Sequence, residues 1–284
     1  MISKIETAQT LLEALPYIKK YKDEIFVIKY GGSAQINPDL KDKFAQDIIL
    51  LYLVGIKPIV VHGGGNKINA MLDKLKIKSE FVDGMRVTSE QVMEVVEMVL
   101  SGSINNEITT LLNMHGGKAL GITGKDANFI TAEPKANGKY GLVGEIININ
   151  NHVIEKLLED KFIPVLAPIA SGNEINHPGF NINADLAASK IAASLKARKV
   201  IFMTDIVGVL DKEKNLLETL TADEIKVLKA DGTINGGMIP KVDACLEAVN
   251  AGVEKAHIID GRVEHSILLE VFTSEGVGTV IRKS

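Results

Sequence analysis

The sequence predicts an α/β protein: an open, mainly parallel central sheet sandwiched between helices, with inserted β-hairpins and an N-terminal helix. Three observations carry that reading. From Glu24 onward, short β-branched runs alternate with segments of helical period. The helical segments are long enough to act as crossovers, which makes the strands they connect parallel. Glycines cluster where strand candidates end, at Gly31-Gly32 and Gly63-Gly64-Gly65, and such sheets bind ligands at the carboxyl ends of their strands.

Residues 4–20 place Ile5, Ala8, Leu11, Leu12, Leu15 and Ile18 at helical spacing, and Pro16 inside that pattern predicts a kink or break near its end. The apolar face so formed packs either on its own domain or on another subunit. Residues 25–28 read as a strand, 39–54 as a helix and 58–61 as a strand; helices come next at 66–75 and 89–100, then a strand at 119–122. The character changes at 129–149, where Asn137-Gly138 between two β-rich runs predicts a hairpin, and a second hairpin is expected around Ser171-Gly172-Asn173. Beyond it, 184–195, 222–230 and 237–251 read as helices, and 200–203 and 257–259 as strands. No Pro- or Ser-rich linker and no internal repeat occurs, so a domain boundary near residues 196–199 would be compact.

Composition narrows the function classes. The 284 residues carry 32 basic against 36 acidic side chains, a net charge of −4, and so have no basic surplus to displace counterions from nucleic acid. The longest apolar run, 48–54, is far short of the roughly 20 residues of a membrane span. The acidic residues Glu6 and Glu13 do not suit a secretory signal, and the single cysteine, Cys245, suits a reducing compartment. The expectation is a cytoplasmic protein with no membrane and no nucleic-acid partner, holding a small anion by local charge.

The chemistry-bearing segments fit that expectation. Bare backbone N–H groups plus ammonium groups are what a polyphosphate needs. Lys29 ends a strand candidate just before Gly31 and Gly32, where it either reaches over the loop or is solvated. The three glycines after His62 suit close backbone approach; His62 itself reads more readily as a structural hydrogen-bonding residue than as a catalyst. Arg86 stands between the Asp83-Gly84 turn and a helix N-cap at Thr88 or Ser89, placed to grip a carboxylate with two parallel hydrogen bonds. In Asn181-Ile182-Asn183-Ala184-Asp185, capping by Asn183 leaves Asn181 and Asp185 unexplained. Lys241 opens a helix after Gly236 and Gly237, where cations are disfavoured unless something anionic compensates them. Neither G-x-x-x-x-G-K-[ST] nor G-x-G-x-x-G occurs, so a nucleotide site here is of another type.

Together, Lys29-Tyr30-Gly31-Gly32-Ser33, His62-Gly63-Gly64-Gly65, Gly84-Met85-Arg86-Val87-Thr88, Asn181-Ile182-Asn183-Ala184-Asp185 and Gly236-Gly237-Met238-Ile239-Pro240-Lys241 resemble the amino acid kinase family, in particular its acetylglutamate kinases. The resemblance runs from about residue 5 to the end of the chain. It implies the amino acid kinase fold and transfer of the γ-phosphoryl group of MgATP to the side-chain carboxylate of N-acetyl-L-glutamate, in arginine biosynthesis. By the same resemblance Lys29 and Lys241 stabilise the transition state and Asp185 orients both. Gly64, Gly65, Arg86 and Asn181 hold the substrate, and Gly32, Asp205, Ile206, Val207, Gly208, Val209, Leu210, Thr233, Ile234 and Asn235 meet the nucleotide. Magnesium is held mainly by the nucleotide phosphates, with no metal-ligating cluster of the protein. Residues 1–22 become an oligomerisation helix, 23–197 a substrate-binding lobe and 198–284 a nucleotide-binding lobe. The N-terminal helix is similar to that of arginine-inhibited hexamers of the family, which implies a homo-oligomer, dimer or hexamer, and an arginine effector site at Lys199, His257, Glu270 and Gly276. A nitrogen-signalling protein is a further possible partner. The alternatives are another kinase of the family, acting on glutamate, aspartate, carbamate or UMP, or a non-catalytic arginine sensor on the same fold.

Overall fold

The computed structural model describes residues 4–283; residues 1–3 and 284, at the ends of the first and last expected units, lie outside the described residues. In chain order the first elements are α1 (Lys4–Tyr21), β1 (Ile25–Tyr30), α2 (Pro38–Leu53), β2 (Lys57–His62), α3 (Gly65–Leu75), β3 (Phe81–Val82), β4 (Met85–Arg86) and α4 (Glu90–Glu97). A π-helical turn (Met98–Ile104) joins α4 to α5 (Asn105–Met114), which leads to β5 (Ala119–Thr123), β6 (Ile130–Pro134), β7 (Gly144–Ile149), α6 (Asn151–Glu159) and β8 (Ile163–Ala167). Then come β9 (Ile169–Ala170), β10 (Phe180–Asn181), α7 (Ala184–Ser194), β11 (Lys199–Thr204), β12 (Thr219–Thr221) and α8 (Ala222–Ala230). The last are α9 (Met238–Asn250), β13 (Lys255–Asp260), α10 (Ser266–Phe272) and β14 (Thr279–Arg282).

Eight strands form one sheet in the order β12-β14-β13-β11-β1-β2-β8-β5. Strands β13, β11, β1, β2, β8 and β5 pair in parallel, whereas β14 runs antiparallel to β13 and carries β12 with it. Central strands in such a sheet are covered on both faces, and their side chains alternate between the two. Phe26, Ile28 and Val60 belong to one apolar core, and Val27, Ile59 and Val61 to the other. Each core draws residues from both expected lobes, and β11 lies directly beside β1, so the sheet continues across residues 197–198.

Both predicted hairpins form. β6 pairs antiparallel with β7 and β9 with β10, although the second pairs only two residues on each side. Three departures from the sequence reading have physical reasons. Helix α1 is not broken at Pro16 and continues to Tyr21. Pro16 is exposed, so water can satisfy the carbonyl that loses its intrahelical donor. The helix expected at 89–100 does not stop there: the π-helical turn carries it through Ser101 and Gly102, two weak helix formers, into α5. Strand β8 was hidden by Pro164, a residue usually confined to sheet edges. Its pairing with β2 begins only at Val165, beyond the proline.

Helix α2 leads away from the first glycine loop, and its start is set by Asn37, whose side chain accepts the amides of Asp39 and Leu40 ahead of Pro38 at the first helical position. Asn37→Ala is expected to lower the unfolding free energy by about 1 kcal/mol in urea titration; an unchanged midpoint and slope would contradict this cap.

Candidate active site

β1, β2 and β11 end at the same edge of the sheet, so the loops after them, at Gly31, Gly63 and Asp205, converge. The first loop turns at Gly32 with φ +71°, and a Cβ there would lie 2.5 Å from Asp205 Oδ1. Only glycine suits both the backbone and the space. Asp205 Oδ1 accepts the Ser33 amide at 2.6 Å, tying the β11 loop to the β1 loop. Gln35 Nε2 donates to Tyr30 O at 3.0 Å and Gly63 O at 3.2 Å, which ties the β1 loop to the β2 loop. Gly64 is the uncapped start of α3, and a Cβ on it would collide with Ile104 and lie 2.6 Å from Leu100. The positive end of α3 therefore opens onto a cavity of about 570 Å³ that Lys29, Gly31, Gly32, Gly64 and Gly65 line.

Three charges meet in this region. Lys29 Nζ lies 3.0 Å from Asp185 Oδ1, and Lys241 Nζ lies 3.6 Å from Asp185 Oδ2. The side chains are 11%, 17% and 23% exposed for Lys29, Asp185 and Lys241, so the lysines can still meet a ligand while the carboxylate between them is shielded. Asp185 sits in the first turn of α7, which Asn183 caps by accepting the amides of Asp185 and Leu186. Lys241 sits in the first turn of α9, and Asp185 is the anion that offsets its unfavourable place on the helix dipole. The two helices pack closely through Ala188, Ala192, Ala244 and Ala248, and Ser189 Oγ donates across to Ala244 O at 2.7 Å. Burial acts to raise the Asp185 carboxyl, but the paired charges of Lys29 and Lys241 outweigh it and hold the group below its usual range.

The substrate-binding candidates flank this cluster. Arg86 ends the β3–β4 hairpin, whose turn residues Asp83 and Gly84 both have positive φ. Its guanidinium is largely buried, lies 4.6 Å from the Phe81 ring centroid, and donates to Asn69 Oδ1 at 2.6 Å, Ser79 Oγ at 3.1 Å and Gly65 O at 3.4 Å. Those partners are neutral, and among the described residues no carboxylate pairs with it. Asn181 Nδ2 donates to Thr88 Oγ1 at 3.2 Å, and Thr88 Oγ1 donates to Arg86 O at 2.9 Å, so Asn181 and Arg86 belong to one hydrogen-bonded chain. The helix cap is Ser89, which leaves Thr88 free for that role.

A second cavity of about 390 Å³ meets the first at Asp205 and is lined by Ile206, Val207, Gly208, Val209 and Leu210 together with Thr233 and Asn235. Between them the Ile234 side chain is 2% exposed and packs in the apolar core, and its amide donates to Leu228 O, so only its backbone is placed to face that cavity. Lys199, His257, Glu270 and Gly276 share a third cavity of about 220 Å³, which Tyr17, Lys20 and Tyr21 of α1 also line. Lys199 opens β11 and Asp205 lies just past its end, so this cavity and the cleft lie at opposite ends of one strand. His257 Nδ1 is 2.6 Å from Glu270 Oε1; burial lowers the histidine to about 4 and lowers Lys199 to about 8.

Sequence reasoning missed Asn69, Ser79 and Gln35, which hold Arg86 and the loops. Each is a single polar residue without a motif of its own. Among the described residues no group of three or more His, Cys, Asp or Glu side chains is placed to hold a metal ion, and no helix is long and apolar enough to cross a membrane.

The amino acid kinase family profile matches residues 24–260. An acetylglutamate kinase from a Nitratiruptor species is 65% identical over 281 residues, covering 99% of this chain and 99% of that one. Another, from Sulfurimonas denitrificans, is 64% identical over 281 residues with the same coverage. Among solved structures, N-acetylglutamate synthase from Neisseria gonorrhoeae, complexed with coenzyme A and N-acetyl-glutamate, aligns with all of this chain at a TM-score of 0.86 and 23% identity; this chain spans 64% of its length. Carbamate kinase from Giardia lamblia bound to AMP-PNP gives a TM-score of 0.71 at 19% identity, over 92% of this chain and 99% of that one. At those identities the two structures show a shared fold alone.

A carboxyl held low in the folded protein contributes stability above its unfolded pKa of about 3.9, and loses that contribution as pH falls through the lower folded value. The difference in unfolding free energy between the protein and Asp185→Asn is therefore expected to shrink as pH drops from about 6 to about 3; a difference that grows on acidification would contradict the two-lysine clamp.

Proposed function

The chain belongs to the amino acid kinase family, and we propose that it phosphorylates the side-chain carboxylate of N-acetyl-L-glutamate with ATP to give an acyl phosphate. The observation that carries this reading is the convergence of Lys29 and Lys241 on one carboxylate beside two open glycine loops. A carboxylate oxygen of the substrate attacks the γ-phosphorus, and the bond from that phosphorus to the oxygen left on ADP breaks. With a reference pKa of about 4.3 the acceptor is already ionised, so no proton moves and no general base is needed. The obstacle is repulsion between two anions, and positioned positive charge is what lowers it.

Lys29 and Lys241 meet the transferring group from β1 and α9, and Asp185 holds both ammonium groups at a common point. The Gly32 and Gly64 amides supply donors. Arg86 has a buried guanidinium with no acidic partner among the described residues, which suits the substrate's α-carboxylate, and Asn181 and Gly65 line the same approach. The loop Asp205–Leu210 with Thr233 and Asn235 takes the ribose and base. Magnesium would arrive on the nucleotide phosphates. The names of the similar proteins support acetylglutamate over glutamate, aspartate, carbamate or UMP as acceptor. A cytoplasmic location accords with this biosynthetic role.

A second reading concerns regulation and rests on the cavity that gathers Lys199, His257, Glu270 and Gly276 against α1. A buried acid beside an amine-rich wall suits a zwitterionic, guanidinium-bearing effector, which supports feedback inhibition by arginine. The exposed apolar face of α1, with Ile5 at 73%, Leu11 at 69% and Leu12 at 65% exposure, supports assembly into dimers or hexamers through that helix.

Trapping the acyl phosphate with hydroxylamine while monitoring ATP loss tests the first reading: acetylglutamate is expected to turn over and free glutamate, aspartate, carbamate and UMP are not. Lys241→Ala is expected to lower kcat by ~10²–10³ without unfolding; an unchanged kcat would remove the lysine from the mechanism. Deletion of residues 1–20 is expected to reduce the oligomer mass and to abolish inhibition by arginine, and a truncated protein with unaltered mass and inhibition would refute the regulatory reading.

A further inference from the structure

We infer that His62 and Asn105 are positioning residues for phosphoryl transfer: the Asn105 carboxamide keeps the His62 ring proton on Nδ1, and that N–H holds the Gly63 carbonyl so that the Gly64 amide points into the cleft. The inference rests on the proposed kinase reaction, although its geometry stands apart from the identity of the substrate. His62 closes β2 and is fully buried. Its Nδ1 lies 3.1 Å from Gly63 O, and its Nε2 lies 3.2 Å from Asn105 Nδ2.

The tautomer is set by the surroundings of Asn105. Its Nδ2 also donates to Val165 O at 2.9 Å and lies 3.5 Å from Ile122 O. The close Val165 carbonyl identifies that end of the carboxamide as the NH₂ group, which can only donate and whose second hydrogen is left for His62 Nε2. Nε2 of His62 therefore accepts, and in a neutral ring the proton resides on Nδ1, where Gly63 O receives it. Burial lowers His62 to about 4, so the ring is neutral at physiological pH. Gly63 O takes a second hydrogen bond from Gln35 Nε2 at 3.2 Å.

A trans peptide points its C=O and its N–H in opposite directions. With the Gly63 carbonyl drawn toward His62 and Gln35, the Gly64 N–H is turned the other way. Among the described residues it donates to no protein acceptor, and Gly64 lines the same cavity as Lys29. If that peptide flipped, a carbonyl oxygen would face the incoming anion in place of a donor. Asn105 is the first residue after the π-helical turn Met98–Ile104, whose extra residue rotates the start of α5 by about 100° about the helix axis and brings the Asn105 side chain to the sheet. Gly121 on β5 leaves room for the Asn105 oxygen, which a Cβ there would strike.

The test combines ring tautomer with kinetics. In ¹⁵N-detected NMR of the wild-type protein the His62 hydrogen is expected on Nδ1. Asn105→Asp presents only acceptors, so the hydrogen moves to Nε2 or the ring becomes charged, and kcat falls by ~10²-fold while KM for ATP and for acetylglutamate stays within about threefold. In His62→Asn, whose amide still reaches Gly63 O, most activity is retained and Asn105→Asp adds less than about a threefold loss. His62→Leu fills a similar volume without a donor and is expected to lose ~10²-fold in kcat. This variant keeps the test decisive if a buried aspartate impairs folding. A wild-type hydrogen on Nε2, equal losses from Asn105→Asp in both backgrounds, or an active His62→Leu would each overturn the inference. A wild-type protein that phosphorylates no acetylglutamate would refute the proposed function alone, since the tautomer is read without substrate.

Discussion

One shielded carboxylate between two ammonium groups is the interaction on which the rest depends. Two lysines brought together in a partly buried cleft repel each other, and without an anion between them that repulsion would push them apart. Asp185 removes that conflict by pairing with both. It also sets the spacing at which positive charge is offered to an incoming anion. In electrostatic catalysis such preorganisation matters more than the number of charges, because nothing then needs to reorient as charge develops.

The fold supplies this arrangement from distant parts of the chain. Lys29 comes from β1, Asp185 from the start of α7 and Lys241 from the start of α9. Parallel strands bring their C-terminal loops to one edge, and the alanine-rich contact between α7 and α9 lets two helix starts approach closely enough for an ion pair. Helix dipoles then act in opposite senses on the two residues. The α7 start favours Asp185, whereas the α9 start disfavours Lys241 and leaves it dependent on Asp185 or on a bound anion. The uncapped start of α3 adds a third positive pole. The α9 and α3 starts and the two ammonium groups together favour a polyanion.

Much of this was legible in the sequence, for particular reasons. Lys29 with Gly31-Gly32, and Lys241 after Gly236-Gly237, combined a charge with local backbone signals, and Asp185 stood in the first turn of a helix whose cap was already explained by Asn183. Asn69, Ser79 and Gln35 were not legible, because their roles exist only through contacts 17, 7 and 28 residues away along the chain. Strand β8 and the continuation of α4 into α5 were obscured by Pro164 and Gly102, whose ordinary local meaning is overridden by packing. His62 was read as structural; its buried ring does make structural bonds, and those bonds are what orient the glycine loop.

If Asp185 holds the two lysines in working position, beyond any part it plays in stability, its loss must show in turnover. The most direct measurement is kcat for acyl-phosphate formation by Asp185→Asn at neutral pH, at saturating ATP and acetylglutamate, on protein shown by circular dichroism to be folded. The isosteric amide keeps the volume but cannot anchor both ammonium groups, and kcat is expected to fall by ~10²-fold or more. A folded Asp185→Asn protein with wild-type kcat would contradict the account.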